Sequence, residues 1–247
     1  MLAFGRTDQG ITRKDNQDFF QVEELAGNLL AAVVCDGVGG AKAGNVASKL
    51  AAEAFIGFLA GQPGALSDDE LAGDAMTDAV MAANRVVYET AKTQGEYRGM
   101  GTTLVGAVVG KKEDAWQASI INVGDSRAYH ISDGRAIQIT KDHSLVEDMI
   151  TRGEITREEA WGHPNRNLIT RVVGTDSKVN RDIYRVDLKE GDRLLLCSDG
   201  LTDLVNDEEL AEEVLHYADL EKCCEMLITL ALAKGGPDNV TVLMVSV

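Results

Sequence analysis

The sequence predicts an α+β fold in which helices pack over antiparallel β-sheets. Strand-like segments occur in groups along the chain, and helix-like segments with apolar residues every three to four positions fall between these groups. Several strand-like segments follow one another after only a few residues, and connections that short favour antiparallel pairing. Grouped strands and grouped helices are typical of sheets covered by helix layers.

Length and composition set the first limits on this fold. The chain has 247 residues, of which 45% are hydrophobic, so it can bury a full core, and we expect a single domain over residues 1–247. It contains no apolar run of about 18 or more residues and no signal-peptide pattern, which predicts a cytoplasmic protein without a membrane span. A net charge of −16 argues against a nucleic-acid partner, because phosphate backbones require a basic face.

The N-terminal part of the chain is predicted to contain two strands and two helices. The second helix begins at Ser67, which forms a capping-box pattern with Glu70. The predicted segments are the strands 1–12 and 18–24 and the helices 44–59 and 67–92.

A meander of four antiparallel strands is predicted next. Its last two strands are joined by Ser132-Asp-Gly134, which is a hairpin turn signal. The four strands are residues 104–110, 116–123, 127–131 and 135–139. The remaining predicted elements are strands 183–188, 193–197 and 240–247 and helices 207–217 and 220–234.

Residues 142–176 interrupt this pattern as a flap-like insert. Two short helices separated at Gly153 are predicted within residues 149–161, with Thr156 capping the second. A long, partly irregular segment in a compact domain is often functional, although a simple surface insertion fits the sequence equally well.

The apolar run 31–35 ends in Asp36 and a cluster of glycines, Gly37, Gly39 and Gly40. We predict a buried strand that delivers Asp36 to a cleft at the strand's end. The glycines let the backbone approach a ligand, so that a carbonyl oxygen can join a coordination shell. Taken alone, the pattern is more simply a strand followed by an Asp-Gly turn.

The pattern of an acid at the end of an apolar strand occurs three more times. Asp125 and Asp199 follow apolar runs, and Asp238 comes directly before the terminal strand. Four such acids indicate carboxylates that converge on hard divalent cations such as Mg2+ or Mn2+.

Two residues near the N-terminus add to this chemistry. Asp18 opens a strand and could reach a water bound to a metal ion, while the planar guanidinium of Arg13 fits phosphate oxygens. An arginine beside a carboxylate cluster is typical of phosphoryl chemistry, in which cations neutralise phosphate and a donor positions it.

The four cysteines do not suggest zinc, disulfide or nucleophilic chemistry. Cys35, Cys197, Cys223 and Cys224 lie in apolar segments without Cys-x-x-Cys spacing. We expect buried, reduced thiols with a packing role.

Seven short motifs, taken in order, resemble those of the metal-dependent protein serine/threonine phosphatases of type 2C, the PPM family, in their compact bacterial form. The resemblance covers the chain from end to end and implies an α-β-β-α sandwich of two antiparallel sheets flanked by helix pairs. The motifs are Arg13-x-x-Asn-x-Asp18, Asp36-Gly-Val-Gly-Gly40, Gly101-Thr-Thr103, Gly124-Asp-Ser-Arg127, Asp142-His-Ser144, Ser198-Asp-Gly-Leu-Thr-Asp203 and Asp238-Asn239.

The resemblance implies which residues hold two catalytic cations. Asp36 resembles the acid that bridges the two ions, and Gly37 the residue whose carbonyl contacts one of them. Asp199 and Asp238 match the acids that complete the site on one ion.

Further roles are implied for residues around this pair of ions. Asp18 matches the acid that holds metal-bound water, and Arg13 matches the residue that grips the substrate phosphate. Asp125 and Asp203 fall where many bacterial relatives bind a third, weaker cation. Asn239 is expected to brace its turn rather than to bind metal.

The implied mechanism is direct attack by water. Two cations about 4 Å apart lower the pKa of a shared water from 15.7 toward about 7. Larger relatives often have a histidine, proposed as general acid, where this chain has Val38, so the source of the leaving-group proton stays open. His143 is expected to hold a loop, and no catalytic role is assigned to it or to His163.

These observations predict an Mn2+- or Mg2+-dependent hydrolase of phosphoserine and phosphothreonine in proteins. By resemblance, it would oppose a bacterial Hanks-type serine/threonine kinase and act on that kinase's substrates. We expect a monomer. Two alternatives remain: a phosphatase of one dedicated phosphorylated regulator, and a catalytically weak, metal-binding regulatory module.

Overall fold

The structure is a computed structural model that describes residues 1–39, 43–62, 64–67, 69–112 and 115–247. Gly40, the last glycine of the predicted cluster, lies outside these residues. The side chains of the predicted Ser67–Glu70 capping box also lie outside the described part.

Eleven strands are formed by the described residues. They are β1 (Leu2–Asp8), β2 (Asp18–Leu25), β3 (Leu29–Val38), β4 (Gly101–Thr102), β5 (Leu104–Lys112), β6 (Ala115–Val123), β7 (Arg127–Ser132), β8 (Arg135–Gln138), β9 (Asp182–Leu188), β10 (Arg193–Cys197) and β11 (Val240–Ser246).

Seven α-helices are formed by the described residues, with two short 3-10 turns at Ala65–Ser67 and Gly95–Tyr97. They are α1 (Gly44–Ala60), α2 (Asp69–Thr93), α3 (Leu145–Thr151), α4 (Arg157–Trp161), α5 (Asp199–Thr202), α6 (Asp207–His216) and α7 (Leu220–Ala233).

The strands form two antiparallel sheets. One has the order β1-β11-β10-β7-β8, and the other has the order β2-β3-β5-β6-β9, with β4 paired to β3. Because β11 lies between β1 and β10, the two ends of the chain meet within one sheet.

Three apolar clusters hold the layers together. The α1–α2 pair packs on β3 and β5, the α6–α7 pair packs on β10 and β11, and a third cluster fills the space between the sheets. Leu194, Leu196 and Leu243 belong to this middle cluster, while Leu195 and Met244 point to the helix side, as strand alternation requires. The layers are helix, sheet, sheet, helix, which confirms the predicted α+β class and the α-β-β-α sandwich.

The predicted four-strand meander is wrong in one pairing. β5 pairs with β6 and β7 pairs with β8, but β7 pairs with β10 rather than with β6. The short connection at residues 124–126 carries the chain from one sheet to the other, so a short connection here does not join a hairpin. The hairpin at residues 132–134 is confirmed, with positive φ at Asp133 and Gly134.

The strand that carries Asp36 is longer than predicted. β3 continues to Val38, because Gly37 and Val38 pair with Thr102 and Gly101 of β4. Asp36 therefore lies inside the strand and not at its end. Asp199 follows β10 by two residues and is the first residue of the short helix α5.

The segment 142–176 contains the two short helices α3 and α4, separated around Gly153 as predicted. Thr156 caps α4 in a capping box with Glu159. The first helix begins at Leu145, four residues before its predicted start, with Ser144 as its N-cap. A bridge between Ser144 and Ile169 closes the base of the segment.

Candidate metal centre

The site begins with two acids that stand side by side on neighbouring strands. Asp18 of β2 and Asp36 of β3 are directly opposite in the antiparallel register. The backbone of Asp36 is held in place by two threonines, since Thr103 Oγ1 accepts from its N–H at 2.9 Å and Thr102 Oγ1 donates to its carbonyl at 2.8 Å. The hydroxyls of Thr102 and Thr103 thus fix a strand position.

Asp18 has one carboxylate oxygen fixed and one without a partner. Its Oδ2 accepts hydrogen bonds from the hydroxyls of Ser198 and Thr241, both at 2.7 Å. Its Oδ1 is buried and has no hydrogen-bond partner among the described residues. Burying a carboxylate oxygen without a hydrogen-bond donor costs free energy, so this atom is a candidate to bind a ligand.

Asp199 shows the same incomplete pairing. It lies at the first residue of α5, directly after Ser198, and its Oδ1 is a second buried oxygen for which the described part of the chain supplies no donor. The hydroxyl of Ser198 binds Asp18 and also accepts from the backbone N–H of Thr241. Ser198 therefore links Asp199 and its helix to the first pair of acids.

The negative charges of these acids act on one another. Burial is the main cause of a pKa of about 6 for Asp18, and the charge of Asp238 raises it further, while the two hydroxyl bonds lower it. Burial and the charges of Asp18, Asp199 and Asp125 raise the pKa of Asp36 well above its ordinary value. Asp199 has a raised pKa for the same reasons. The fold thus gathers acids that repel each other unless protons or cations compensate them.

The donor set fits a hard divalent cation. Carboxylate oxygens are the preferred ligands of Mg2+ and Mn2+, and two of them here lack donors. Among the described residues, no three histidine, cysteine, aspartate or glutamate side chains are arranged so that they could hold a metal ion as they stand. The fit therefore rests on the unpaired oxygens of Asp18 and Asp199 and on the shared charge of the cluster.

Gly37 allows the close approach of another backbone segment. A Cβ at this position would lie 2.1 Å from the carbonyl oxygen of Gly44, at the start of α1. Any side chain would push α1 away from the acids, so glycine is required here by contact distance.

Arg13 lies at the edge of the cluster and contacts Asp238. Its guanidinium Nη2 is 2.5 Å from Asp238 Oδ2, and the side chain is 49% exposed. The other oxygen of Asp238 accepts from the backbone N–H of Asn239 at 2.8 Å. The structure therefore brings Arg13 to the predicted site, but pairs it with a predicted metal ligand.

Asn239, which was expected to brace its own turn, braces the loop that carries Arg13. Its Nδ2 donates to the carbonyls of Gln9 and Asp15 at 2.7 and 3.0 Å, and its Oδ1 accepts from the N–H of Gln17 at 2.8 Å. One buried amide thus fixes both sides of the loop between β1 and β2.

Asp125 and Asp203 lie beside the main cluster. Burial and the charge of Asp142 raise the pKa of Asp125 to about 7. Burial also raises the pKa of Asp203, against the effect of Arg166, whose Nη2 is 3.3 Å from Asp203 Oδ2. Because Arg166 belongs to the segment 142–176, this ion pair connects the segment to the acids.

A cleft separates the acids from the segment 142–176. Asp125, Asp199 and Asp203 lie along one side of it, and Arg157 and Trp161 of the segment lie along the other. The ring of Trp161 is half exposed. The segment therefore forms a wall of the cleft and is placed to contact whatever binds there.

Two further groups, Arg127 and His143, support the site, and the partners of both were not identified from the sequence. Arg127 holds Asp142 through a bidentate pair, with Nε–Oδ1 at 2.9 Å and Nη2–Oδ2 at 2.7 Å. His143 is buried and accepts from the N–H of Gly124 through Nδ1 at 3.1 Å, while its Nε2 lies 3.1 Å from Asp182. Both groups fix the connection that carries Asp125, and His143 holds a loop as predicted.

The cysteines are free and buried, as expected for packing residues. Burial raises the pKa of Cys35 well above its ordinary value and that of Cys197 to about 12. A thiol that stays protonated is a poor nucleophile, so these two cysteines are not placed for covalent catalysis.

Membrane insertion through helices finds no support in the described residues. None of their helices combines the length and apolar character that a crossing requires.

Comparisons with known proteins agree with this geometry. The family description Protein phosphatase 2C matches residues 11–230. The chain is 37% identical over 245 residues to the Serine/threonine phosphatase stp of Listeria monocytogenes, covering 99% of this chain and 95% of that protein.

Solved structures show the same fold. The Serine/threonine phosphatase Stp1 from Staphylococcus aureus superposes with a TM-score of 0.92 at 38% identity, covering 99% of this chain and 94% of that one. The catalytic domain of PstP in complex with two manganese ions gives a TM-score of 0.82 at 37% identity, covering 98% and 96%. Since the family match and the identity both extend over nearly the whole chain, this protein belongs to the protein phosphatase 2C family.

Proposed function

We propose that the chain hydrolyses phosphoserine and phosphothreonine in proteins with two divalent cations, Mn2+ or Mg2+. The observation that carries this proposal is the pair of buried, unpartnered oxygens of Asp18 and Asp199 within one cluster of acids. The name of the PstP structure, which records two manganese ions, and the names of the bacterial relatives support it.

Four residues would hold the two cations. The charges of acids from four other parts of the chain act on Asp36, which suits a carboxylate that bridges two ions. The Gly37 carbonyl follows it, and Asp199 and Asp238 would complete the shell. When bound, such a pair of ions supplies a water of lowered pKa and neutralises charge on the phosphate.

Asp18 would orient the attacking water. Its Oδ2 is fixed by two hydroxyls, so its Oδ1 is held in a defined direction without a competing protein donor. A positioned acceptor of this kind holds a water for in-line attack at low entropic cost.

Arg13 would bind the substrate phosphate. The side chain is half exposed, and its single hydrogen bond to Asp238 uses one of the five N–H groups that a guanidinium carries. The remaining donors can contact phosphate oxygens while Arg13 stays beside the metal ligands.

Asp125 and Asp203 would hold a third, weaker cation. The raised pKa of both carboxyls is consistent with a site of concentrated negative charge. Arg166 already neutralises part of that charge, which is consistent with weak cation binding.

The partners that we propose are phosphorylated proteins. The relatives named as serine/threonine phosphatases suggest that this chain removes phosphate added by a serine/threonine kinase and acts on that kinase's substrates. We propose that it works as a monomer in the cytoplasm.

The proposal is tested by hydrolysis of p-nitrophenyl phosphate and of a phosphothreonine peptide, with Mn2+ and with EDTA. We expect turnover only with the metal, and a loss of at least a hundredfold in kcat for Asp36→Asn. Asp78→Asn, which changes an exposed acid on α2, is the matched control and should keep wild-type rates.

A folded wild-type protein without metal-dependent turnover would contradict the proposal and favour a metal-binding regulatory module. Wild-type rates for Asp36→Asn would instead show that the bridging acid is assigned wrongly. Turnover of one purified phosphoprotein but of no peptide in a phosphothreonine panel would favour a single dedicated substrate.

A further inference from the structure

We propose that the groove between β8 and α6 docks a basic and apolar segment of a protein substrate, away from the phosphate site. This inference rests on the proposed phosphatase function, because it assigns the groove to recognition of the protein that carries the phosphate.

The groove has an apolar floor. Ala136 of β8 lines one side, and Ala211 and Leu215 of α6 line the other. Leu215 is 56% exposed, which places it among the most exposed large hydrophobic side chains of the described residues. Ile137 also borders the groove, but strand alternation turns its side chain to the opposite face of the sheet, the face of His130 and Leu194. Exposed apolar side chains at a surface groove often mark a contact surface.

The backbone of β8 adds a second means of recognition. β8 is the last strand of its sheet, and β7 is its one neighbouring strand among the described residues. An edge strand presents backbone N–H and C=O groups to which an extended peptide can pair, while side-chain pockets select its sequence.

The rim of the groove is acidic. Asp207, Glu208 and Glu212 line it from α6, and all three are exposed, whereas β8 contributes one cation, Arg135. Acids in the first turn of a helix are expected for any helix, because they interact favourably with its N-terminus. That explanation covers Asp207 and Glu208 but not Glu212, which lies beyond the first turn.

Charge favours a basic partner over a second copy of this chain. The protein carries a net charge of −16, so two acidic rims would repel each other on self-association. A segment with lysine or arginine beside apolar side chains matches both the rim and the floor.

The direction of the groove suits a substrate that reaches the acids. Its far end lies at the β7–β8 hairpin, where a Cβ on Gly134 would be 3.8 Å from Leu215. At its other end, Gln138 donates to Asp142 at 3.1 Å, and Asp207 follows the acid Asp203 by four residues. A segment in the groove therefore runs toward the cleft that would receive the phosphorylated residue.

Two fluorescent peptides test the groove directly. One alternates lysine or arginine with leucine and isoleucine, and the other replaces each basic residue with glutamate. We expect the basic peptide to bind the full chain, more weakly at high salt because exposed charges are screened, and the acidic peptide not to bind.

The groove variant is Leu215→Ala combined with Glu212→Lys. It should weaken basic-peptide binding at least tenfold, while p-nitrophenyl phosphate turnover stays unchanged, because neither residue belongs to the acid cluster. The matched control combines Ile183→Ala, at an exposed isoleucine on the edge strand of the other sheet, with Glu24→Lys on β2. It should bind like the wild type.

A substrate test connects docking to turnover. A phosphothreonine peptide joined by a Gly/Ser linker to the basic segment should have a KM at least fivefold lower than the same peptide without the segment, and only in proteins with an intact groove. Equal peptide binding by the groove variant and the wild type would overturn the docking site.

Other outcomes distinguish the remaining explanations. A dimer of the wild type that the groove variant dissociates in sedimentation would overturn the peptide proposal in favour of a second copy. Groove-dependent peptide binding without metal-dependent turnover would contradict the proposed phosphatase function. It would also overturn the role of the groove in substrate docking, although the groove would still bind a basic peptide.

Discussion

Arg13 contacts Asp238 and, as we propose, also binds the substrate phosphate. It binds Asp238 at the edge of the acid cluster, yet half of its side chain faces solvent. We expect Arg13→Ala to raise KM for a phosphopeptide about tenfold and to change kcat less, because a phosphate contact shared by substrate and transition state contributes to binding of both.

Steady-state kinetics at saturating Mn2+ checks this expectation. Arg13→Lys should be intermediate, since it keeps the charge but loses the planar fork. Arg6→Ala, at an exposed arginine on β1, is the control for a general loss of positive charge. A fall in kcat with an unchanged KM would instead assign Arg13 to the transition state alone.

The sequence predicted the acids but not the partners of the residues that support them. Asp36, Asp125, Asp199 and Asp238 are recognisable because each adjoins an apolar strand. The function of His143 depends on Gly124 and Asp182, which lie 19 and 39 residues away in the chain. Periodicity and spacing carry no information about such distant partners, so the contacts of a supporting residue become visible only once the chain has folded.

For strands and helices, the positions along the chain were predicted from local patterns, but one strand pairing was not. Most strands and helices were predicted to within a few residues, since hydrophobic periodicity and turn residues act locally. The partner of β7 was predicted wrongly, because a short connection fits both a hairpin and a crossing between two layers. Buried contacts decide between them, and the packing of Leu195 and Tyr129 in the same cluster joins β7 to β10.

The ion pair between Arg166 and Asp203 joins two elements, the segment 142–176 and the end of α5. Both side chains are about one-third exposed, so the pair contributes at most about 1 kcal/mol to stability. We expect Arg166→Ala to leave the melting temperature nearly unchanged. The variant should lower the Mn2+ concentration for half-maximal activity about threefold, because Asp203 regains its full charge.

Activity measured across Mn2+ concentrations checks this second prediction. Arg157→Ala is the matched control, since it removes an arginine from the same segment whose partner, Glu147, also lies in that segment. Identical half-maximal Mn2+ concentrations for the Arg166 variant and the wild type would show that the ion pair does not affect cation binding.

The fold of the whole molecule holds several acids close together, although their negative charges repel one another. Three apolar clusters position β2, β3, β10 and β11 so firmly that acids at their ends or within them are held together despite mutual repulsion. Burial raises the pKa of Asp18 to about 6 and that of Asp125 to about 7, and the charges of neighbouring acids raise both further, so without a cation these carboxyls keep their protons to higher pH. Stability must therefore depend on both pH and metal.

The sign of this dependence follows from proton binding. Between pH 4 and 7 the folded protein holds protons on these acids that the unfolded chain has released, so stability without metal falls as pH rises. A shift of about two pKa units corresponds to about 3 kcal/mol, or roughly 6–12 °C in melting temperature for a chain of this size. Divalent cations compete with the protons, so their stabilising effect should grow as pH rises.

Thermal unfolding at pH 5.5 and pH 7.5, with EDTA and with saturating Mn2+, measures both effects. We expect the melting temperature in EDTA to fall between the two pH values, and the increase caused by Mn2+ to be several degrees larger at pH 7.5. Asp36→Asn should reduce both differences, since it removes one titrating acid and one metal ligand, while Asp78→Asn should keep them. An Mn2+ effect of equal size at both pH values would mean that the cation does not bind at these acids, because binding there must displace their protons.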